Sequence, residues 1–214
     1  MEFGDSLEAL IPSYLVGVNR NSLKEGLKQF TPENRGKEIN YENFFKIYNH
    51  NYFMQSDLVK EIRFAHWNSE NTQYEKEYLD AIIVSNTCDI SYSNNRDVNI
   101  KQCLLAPIID LNEYLIDLQE KGYNEDKIRS FKQNAKAQLL SNAFYIPQHI
   151  DNGKEYLALF DRIFWFPTDE LNSLIPSITE DKIASLNFFG FYLFIFKLSY
   201  HLCRLPEECD REVA

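Results

Sequence analysis

The residues best suited to chemistry are Cys88 and Asp89, which lie in a polar turn directly after an apolar run, residues 81–84. Reactive groups are often carried by loops that a rigid scaffold positions, and a thiolate beside a histidine base can act as a nucleophile. A cysteine is also an ordinary small core residue, and an aspartate can cap a turn by accepting backbone hydrogen bonds. The pair is therefore either the centre of a cysteine-dependent enzyme or a structural turn.

A second group of residues offers potential metal ligands. His201, Cys203 and Cys209 are close in sequence, and Cys88 or Cys103 could add a fourth ligand. Residues two apart on a helix point in different directions, and the sequence contains no C-x-x-C pair. The spacing therefore favours neither a metal site nor a cofactor, and His201 is expected at a helix C-terminus, where it would either interact with the helix dipole or bond to backbone.

Basic residues cluster in one segment of an otherwise acidic chain. Three of them recur at i, i+3 and i+7, which places them on one face of a helix. Such a face could contact RNA phosphates or an acidic partner, although a solvated helix face has the same pattern. The stripe and its neighbours are Lys121, Lys127, Arg129, Lys132 and Lys136.

Composition limits the other options. The net charge of -10, from 22 basic and 32 acidic residues, argues against non-specific nucleic-acid binding because the surface repels phosphate backbones. Common enzyme motifs, such as a glycine-rich phosphate loop, H-E-x-x-H and G-x-S-x-G, do not occur. The 4 cysteines form no disulfide pattern and the first residues resemble no signal peptide, so a cytoplasmic location is expected.

The elements that would position these residues follow from the spacing of apolar residues. At 214 residues the chain suits one domain, 1–214, and residues 1–53 are predicted to be largely helical. Strands are predicted after that, with a polar loop at residues 68–77 and an antiparallel hairpin that turns at residues 94–97. The predicted strands are residues 57–64, 81–84, 99–108, 143–147 and 156–165.

Two helical regions complete the prediction. Residues 111–143 are predicted to be a helical insertion, with Asn124 as an N-cap. Ser177 begins a capping-box pattern before a helix at residues 183–202, which is apolar almost all round and should be buried. The uncharged run between Lys182 and Lys197 is 14 residues, shorter than the roughly 20 that span a bilayer, so no membrane association is expected.

Several of these segments together resemble the MazF/PemK toxin family. The family has a Gly-Asp-(Leu/Ile)-(Ile/Val) first strand, an apolar strand ending in Leu-Ser, and a strand ending in Pro-(Ile/Cys)-Thr. Residues 57–64 read Asp-Leu-Val-x-x-Ile-x-Phe, residues 81–85 read Ala-Ile-Ile-Val-Ser, and residues 103–108 read Cys-Leu-Leu-Ala-Pro-Ile. Residues 159–163 resemble the family's Asp-Gln strand, and the resemblance covers residues 54–110 and 155–203.

The resemblance implies an α+β fold built on an SH3-like antiparallel β-barrel. The barrel would comprise residues 54–110 and 144–175. It would be enlarged by the N-terminal helical region, by the insertion at 111–143 and by a buried C-terminal helix at 177–205.

The family's activity is metal-independent RNA cleavage, with a basic residue, an acidic residue and a hydroxyl around the phosphate. Asp161 matches the acidic position, and Arg63 or Arg162 could supply the cation. Other positions differ from the family. Ser56 replaces the glycine before Asp57, Leu159 replaces an arginine, and Ile109 or Asp110 replaces the threonine.

These departures and the acidic charge favour binding over catalysis. We expect a non-catalytic or partner-dependent component of a bacterial toxin-antitoxin or phage-defence system, acting by protein-protein interaction with a partner encoded nearby. A diverged endoribonuclease, with RNA at the basic stripe, and a Cys88-dependent enzyme are the alternatives. The resemblance also implies a homodimer.

Overall fold

The computed structural model describes residues 39–48, 50–91, 101–148 and 153–203. Within them the protein is a mixed α/β structure around a seven-stranded antiparallel sheet. The strands are β1 (Asp57–Asn68), β2 (Gln73–Ile83), β3 (Gln102–Asp110), β4 (Ala143–Ile146), β5 (Tyr156–Leu159), β6 (Phe164–Pro167) and β7 (Lys182–Ser185).

The strand order is β4-β5-β3-β2-β1-β7, and β6 also pairs with β3. β5 and β6 lie end to end along one edge of β3, because a 3-10 turn at Phe160–Arg162 interrupts the strand predicted at residues 156–165. The hairpin of β2 and β3 is antiparallel, as predicted. Its predicted turn at residues 94–97 lies outside the described residues.

The first hairpin is longer than its sequence pattern predicts. β2 begins at Gln73, so only residues 69–72 separate it from β1, and the predicted loop at residues 68–77 is wrong. Cross-strand pairing continues down to Asn68 and Gln73 at the hairpin tip. β1 contains a bulge between Val59 and Ile62, and a bulge of this kind bends a strand and increases its twist.

Six α-helices lie in the described residues. Helices α2 and α3 confirm the predicted insertion at 111–143, and the Asn124 side chain caps α3 by accepting a hydrogen bond from Lys127 N at 2.8 Å. The helices are α1 (Thr87–Ile90), α2 (Leu111–Glu120), α3 (Glu125–Lys136), α4 (Thr168–Ser173), α5 (Ile178–Asp181) and α6 (Phe188–Cys203).

The predicted C-terminal helix is wrong at its beginning. Residues 182–185 form β7, which pairs with the start of β1, and α6 begins only at Phe188. Ser177 is at the N-cap position of α5, but its side chain makes no capping hydrogen bond: the hydroxyl donates to Leu174 O and contacts the Asp181 carboxylate. The prediction that α6 is buried holds on one face only, since Phe196, Tyr200 and Leu202 are exposed.

The sheet is strongly curved although it is not closed. Phe64 on β1 and Phe164 on β6 have ring centroids 4.7 Å apart, while β2 and β3 lie between these two strands in the sheet. The concave side encloses a core that includes Ile62 and Leu105. In the part of the chain that the structure describes, the end strands β4 and β7 do not pair with each other, so the predicted closed barrel is not seen.

Most of the predicted helical region at residues 1–53 lies outside the described residues. The described part of this region begins at Ile39 and contains no helix. Phe44 and Phe53 are fully buried, as expected of an aromatic segment that crosses the core. Gly190 of α6 packs so closely on this segment that an added Cβ would lie 3.0 Å from Phe44 O.

A search of the described helices for a membrane span finds none that is both long enough and apolar enough to cross a bilayer.

Candidate functional site

A groove of about 370 Å³ lies between the outer half of the first hairpin and the strand β6. We call it the aromatic groove. It is lined by Arg63, Phe64, Ala65, Lys76, Phe164, Trp165, Phe166, Pro167 and Glu170.

Residues from both faces of the strands line the groove, since residues 63–65 and 164–167 all contribute to it. Ala65 and Lys76 are opposite each other in the hairpin, and so are Arg63 and Tyr78, so these four residues share one face. On β6, Phe166 is buried, whereas Trp165 is 62% exposed. The groove therefore has an apolar wall that includes the solvent-exposed Trp165 side chain.

Charges of both signs border this apolar wall. The Arg63 guanidinium donates to both oxygens of the Glu170 carboxylate, at 3.0 and 2.9 Å. Both side chains are about half exposed, so the pair adds little to stability and a ligand could compete for it. Lys76 is a second cation in the lining.

This arrangement suits recognition of another protein. Tryptophan and arginine are the residues most often found at the energetic centres of protein interfaces, where apolar contact is surrounded by polar groups. An exposed tryptophan beside Phe164 offers a large rigid contact area. Arg63 and Glu170 can exchange their mutual hydrogen bonds for bonds to a partner.

The predicted catalytic residues do not come together in the described contacts. Arg63 is in the aromatic groove, where it pairs with Glu170. Asp161 and Arg162 are exposed in the 3-10 turn between β5 and β6, and Asn142 Nδ2 donates to Asp161 Oδ2 at 3.2 Å. A site containing both Arg63 and Asp161 would need a different arrangement of these side chains.

Cys88 and Asp89 lie in the four-residue helix α1. The Asn86 side chain caps this helix by accepting a hydrogen bond from Cys88 N at 2.9 Å. Cys88 is exposed. The turn is therefore shaped by Asn86, and the role of the cysteine stays a prediction.

Ion pairs occupy most of the predicted basic stripe. Lys132 and Lys136 both contact Glu155, at 3.3 and 2.6 Å. Burial raises the pKa of Glu155, but hydrogen bonds from Lys136 and Tyr145 outweigh it and hold that pKa below its usual value.

The other basic residues of the stripe are more exposed. Arg129 pairs with Asp126 and Lys121 with Asp117, while Lys127 is exposed. Phosphate contact at the stripe stays a prediction, and it would compete with these pairs.

Residues Ser56 and Asp57, at the first family-like motif, are buried. Asp57 accepts hydrogen bonds from Met54 N at 2.9 Å and from the Ser185 hydroxyl at 2.6 Å. Burial raises the pKa of Asp57, and the nearby Lys182 ammonium partly offsets that rise. Ser56 has a φ of 71°, in the left-handed region that favours glycine. Asp57 joins the start of β1 to β7, Ser56 N donates to Ile83 O of β2, and neither residue is in the lining of the groove.

Among the described residues, no group of three or more acidic, histidine or cysteine side chains is arranged so that it could hold a metal ion. His201 bonds to backbone, as predicted, with Nδ1 3.2 Å from Ser141 O. Cys209 lies outside the described residues.

Sequence reasoning missed Trp165, Lys76 and Glu170. Trp165 stands between Phe164 and Phe166, so no polar neighbour marks it as the outward-facing residue of an alternating strand. Lys76 lies in the segment that the pattern predicts to be a loop. The residues around Trp165 and Lys76 therefore indicate the groove only weakly.

Compared with known proteins, the chain matches no family model, no curated protein and no solved structure.

Proposed function

We propose that this protein acts by binding a partner protein through the aromatic groove. It would serve as a non-catalytic or partner-dependent component of a bacterial toxin-antitoxin or phage-defence system. The observation that carries the binding proposal is Trp165, which is 62% exposed beside a groove with an Arg63–Glu170 pair at its border. The biological setting rests on the sequence resemblance.

The proposal also covers the type of β-structure that the sheet forms. We infer that the curved sheet is an SH3-like barrel that is open at one side. Contact between Phe64 and Phe164, at 4.7 Å between centroids, supports this because it brings non-adjacent strands together. The left-handed Ser56, where the resembling family has glycine, supports the same alignment.

Binding is preferred to ribonuclease activity because of where the charged residues lie. Cleavage at a phosphate needs a cation and a general acid or base that both reach the reacting group. Arg63 is in the lining of the aromatic groove, whereas Asp161 is outside that lining, in the turn between β5 and β6, where Asn142 donates to it. A diverged ribonuclease would have to use Arg162, which is next to Asp161 in sequence.

Co-purification distinguishes a binding protein from an enzyme. The tagged protein is expressed together with the products of the genes adjacent to its own, and the proteins that remain bound are quantified. Trp165→Ala should remove the bound protein. The matched control is Tyr123→Ala, which removes an exposed aromatic side chain from the loop between α2 and α3 and should leave binding intact.

Expression of the protein without its gene neighbours is the second part of this test. The binding proposal expects no toxicity and no RNA cleavage. Toxicity that Asp161→Ala or Arg162→Ala abolishes would replace the proposal with the ribonuclease alternative. An activity that Cys88→Ser abolishes at an unchanged melting temperature would replace it with the cysteine enzyme.

A further inference from the structure

The strands β2 and β3 separate partway along their length. They pair over residues 81–83 and 105–107, and the pairing ends at Pro107, which has no N–H to donate. A continued antiparallel ladder would join residues 78–80 to residues 108–110. Instead, residues 78–79 pair with β1 and residues 108–110 pair with β5, on their opposite edges.

A cavity of about 500 Å³ occupies the space between the separated strands. We call it the fork. Its lining includes residues 78–80 of β2 and 108–110 of β3, together with Tyr114 of α2 and Tyr156 of β5. The fork therefore lies between two strand edges that do not pair with each other, and unpaired edges of this kind accept an additional strand.

The fork is strongly acidic. One cation, Lys154, lines it, and its Nζ lies 3.3 Å from the Asp110 carboxylate and 3.6 Å from that of Glu113. The hydrogen bond to Asp110 raises the pKa of Lys154. The acidic residues in the lining are Glu61, Asp80, Asp110, Glu113 and Asp117.

Several of these carboxylates already have ion-pair or hydrogen-bond partners within the chain. Asp117 pairs with Lys121 at 2.6 Å, and both side chains are largely exposed. Asp80 accepts a hydrogen bond from Glu61 N at 3.1 Å. Because exposed ion pairs are weak, cations from another molecule can replace Lys121 at Asp117 and Lys154 at Glu113 at little cost. Tyr78, which is exposed at the edge of the fork, can also stack against a cation.

We propose that the fork binds an extended, lysine- or arginine-bearing segment of a partner protein, which adds a strand between β2 and β3. Charge complementarity identifies the occupant, because five carboxylates surround two open strand edges. Backbone hydrogen bonds would supply affinity, and the alternate side chains of the segment would meet the acidic residues. The site is separate from the aromatic groove, so either proposal can fail without the other.

The test uses the full-length protein and a fluorescein-labelled peptide of alternating lysine and threonine, long enough for one strand. Fluorescence anisotropy measures its dissociation constant at low salt. Two comparison peptides separate charge from strand addition: one has glutamate in place of lysine, and the other has the lysine sequence with alternate backbone nitrogens methylated. The glutamate peptide should not bind, and methylation should weaken binding about tenfold or more because several backbone hydrogen bonds are lost.

Protein variants locate the site. Asp80→Asn combined with Glu113→Gln should weaken binding of the lysine peptide about fivefold. The matched control, Glu120→Gln with Glu125→Gln, removes the same charge outside the fork and should change binding less than about twofold. Trp165→Ala should bind the peptide as tightly as the native protein does.

Three outcomes would overturn the proposal. Equal affinity for the methylated peptide would mean that only surface charge attracts it. Equal loss in the control variant would place the peptide elsewhere on the acidic surface. Dimerisation of the native chain that the Asp80→Asn, Glu113→Gln variant abolishes would make a second copy of this chain the occupant.

Discussion

At the scale of single residues, Lys197 is the clearest case of a charge that the fold has to accommodate. It lies on α6 with 5% of its surface exposed. Its Nζ donates to Gln138 O and Leu140 O, each at 2.7 Å. Burial lowers the pKa of Lys197 to about 8, because the ammonium loses hydration that two carbonyl groups only partly replace.

This pKa predicts a specific dependence of stability on pH. Above about pH 8, and up to the ordinary lysine value near 10.4, the unfolded chain binds more protons than the folded chain does. The contribution of Lys197 to the free energy of unfolding should therefore increase as pH rises, by at most about 1.4 kcal/mol per pH unit.

Urea denaturation across this pH range measures the effect as a difference between variants. Lys197→Met should lack the gain, and Lys127→Met, at an exposed position on α3, should keep it. Parallel pH profiles for Lys197→Met and the native protein would show that the ammonium is solvated.

Ser56 carries a second prediction at this scale. Its φ of 71° is unfavourable for any residue with a Cβ. Ser56→Gly should therefore be more stable than Ser56→Ala, by about 0.5 to 1 kcal/mol once the greater flexibility of glycine in the unfolded chain is included. Both variants lose the hydroxyl, so the comparison isolates the backbone. If thermal denaturation shows Ser56→Ala to be as stable as Ser56→Gly or more stable, the backbone at this position is not strained.

At the scale of elements, the Gln138 side chain protects β4, an end strand of the described sheet. Gln138 Nε2 donates to Tyr145 O at 2.8 Å, and Gln138 Oε1 accepts from Tyr145 N at 3.2 Å. The side chain thus occupies the place of a neighbouring strand. Open edges promote association between sheets, so Gln138 both satisfies β4 and blocks further pairing.

Removing this side chain should weaken the edge. Gln138→Ala leaves the buried N–H and C=O of Tyr145 without these partners, which should lower the free energy of unfolding by about 2 kcal/mol. The control Gln133→Ala, on the exposed face of α3, should change it by less than about 0.5 kcal/mol. Hydrogen exchange at the Tyr145 amide should accelerate in the first variant only. An unchanged exchange rate there would show that Gln138 does not protect the strand.

Local patterns predicted many of the elements well. Residues 61–64 alternate and residues 81–84 are uniformly apolar, so part of β1 and the end of β2 follow from the pattern of burial. Asn124 and the helical spacing after it predicted α3. The predicted start of α6 was wrong because Ile183 fits a helical pattern as well as a strand pattern. Only the pairing of residues 182–185 with β1 makes this segment a strand.

At the scale of the whole molecule, the candidate site could not be read from the sequence. The aromatic groove exists because the sheet curves until β1 reaches β6. Arg63 and Glu170, which pair across it, are 107 residues apart. Nothing in the pattern around either residue specifies this contact. The fork has the same origin, since it depends on two strands separating after Pro107.

The most direct test of the account is calorimetric titration of the purified protein with the neighbouring gene product that co-purifies with it. A central tryptophan at an interface contributes about 2 kcal/mol or more. Trp165→Ala should therefore raise the dissociation constant about 30-fold or more, while Tyr123→Ala leaves it within about twofold. Circular dichroism and melting temperature confirm that both variants are folded. An unchanged dissociation constant for folded Trp165→Ala would contradict partner binding through the aromatic groove.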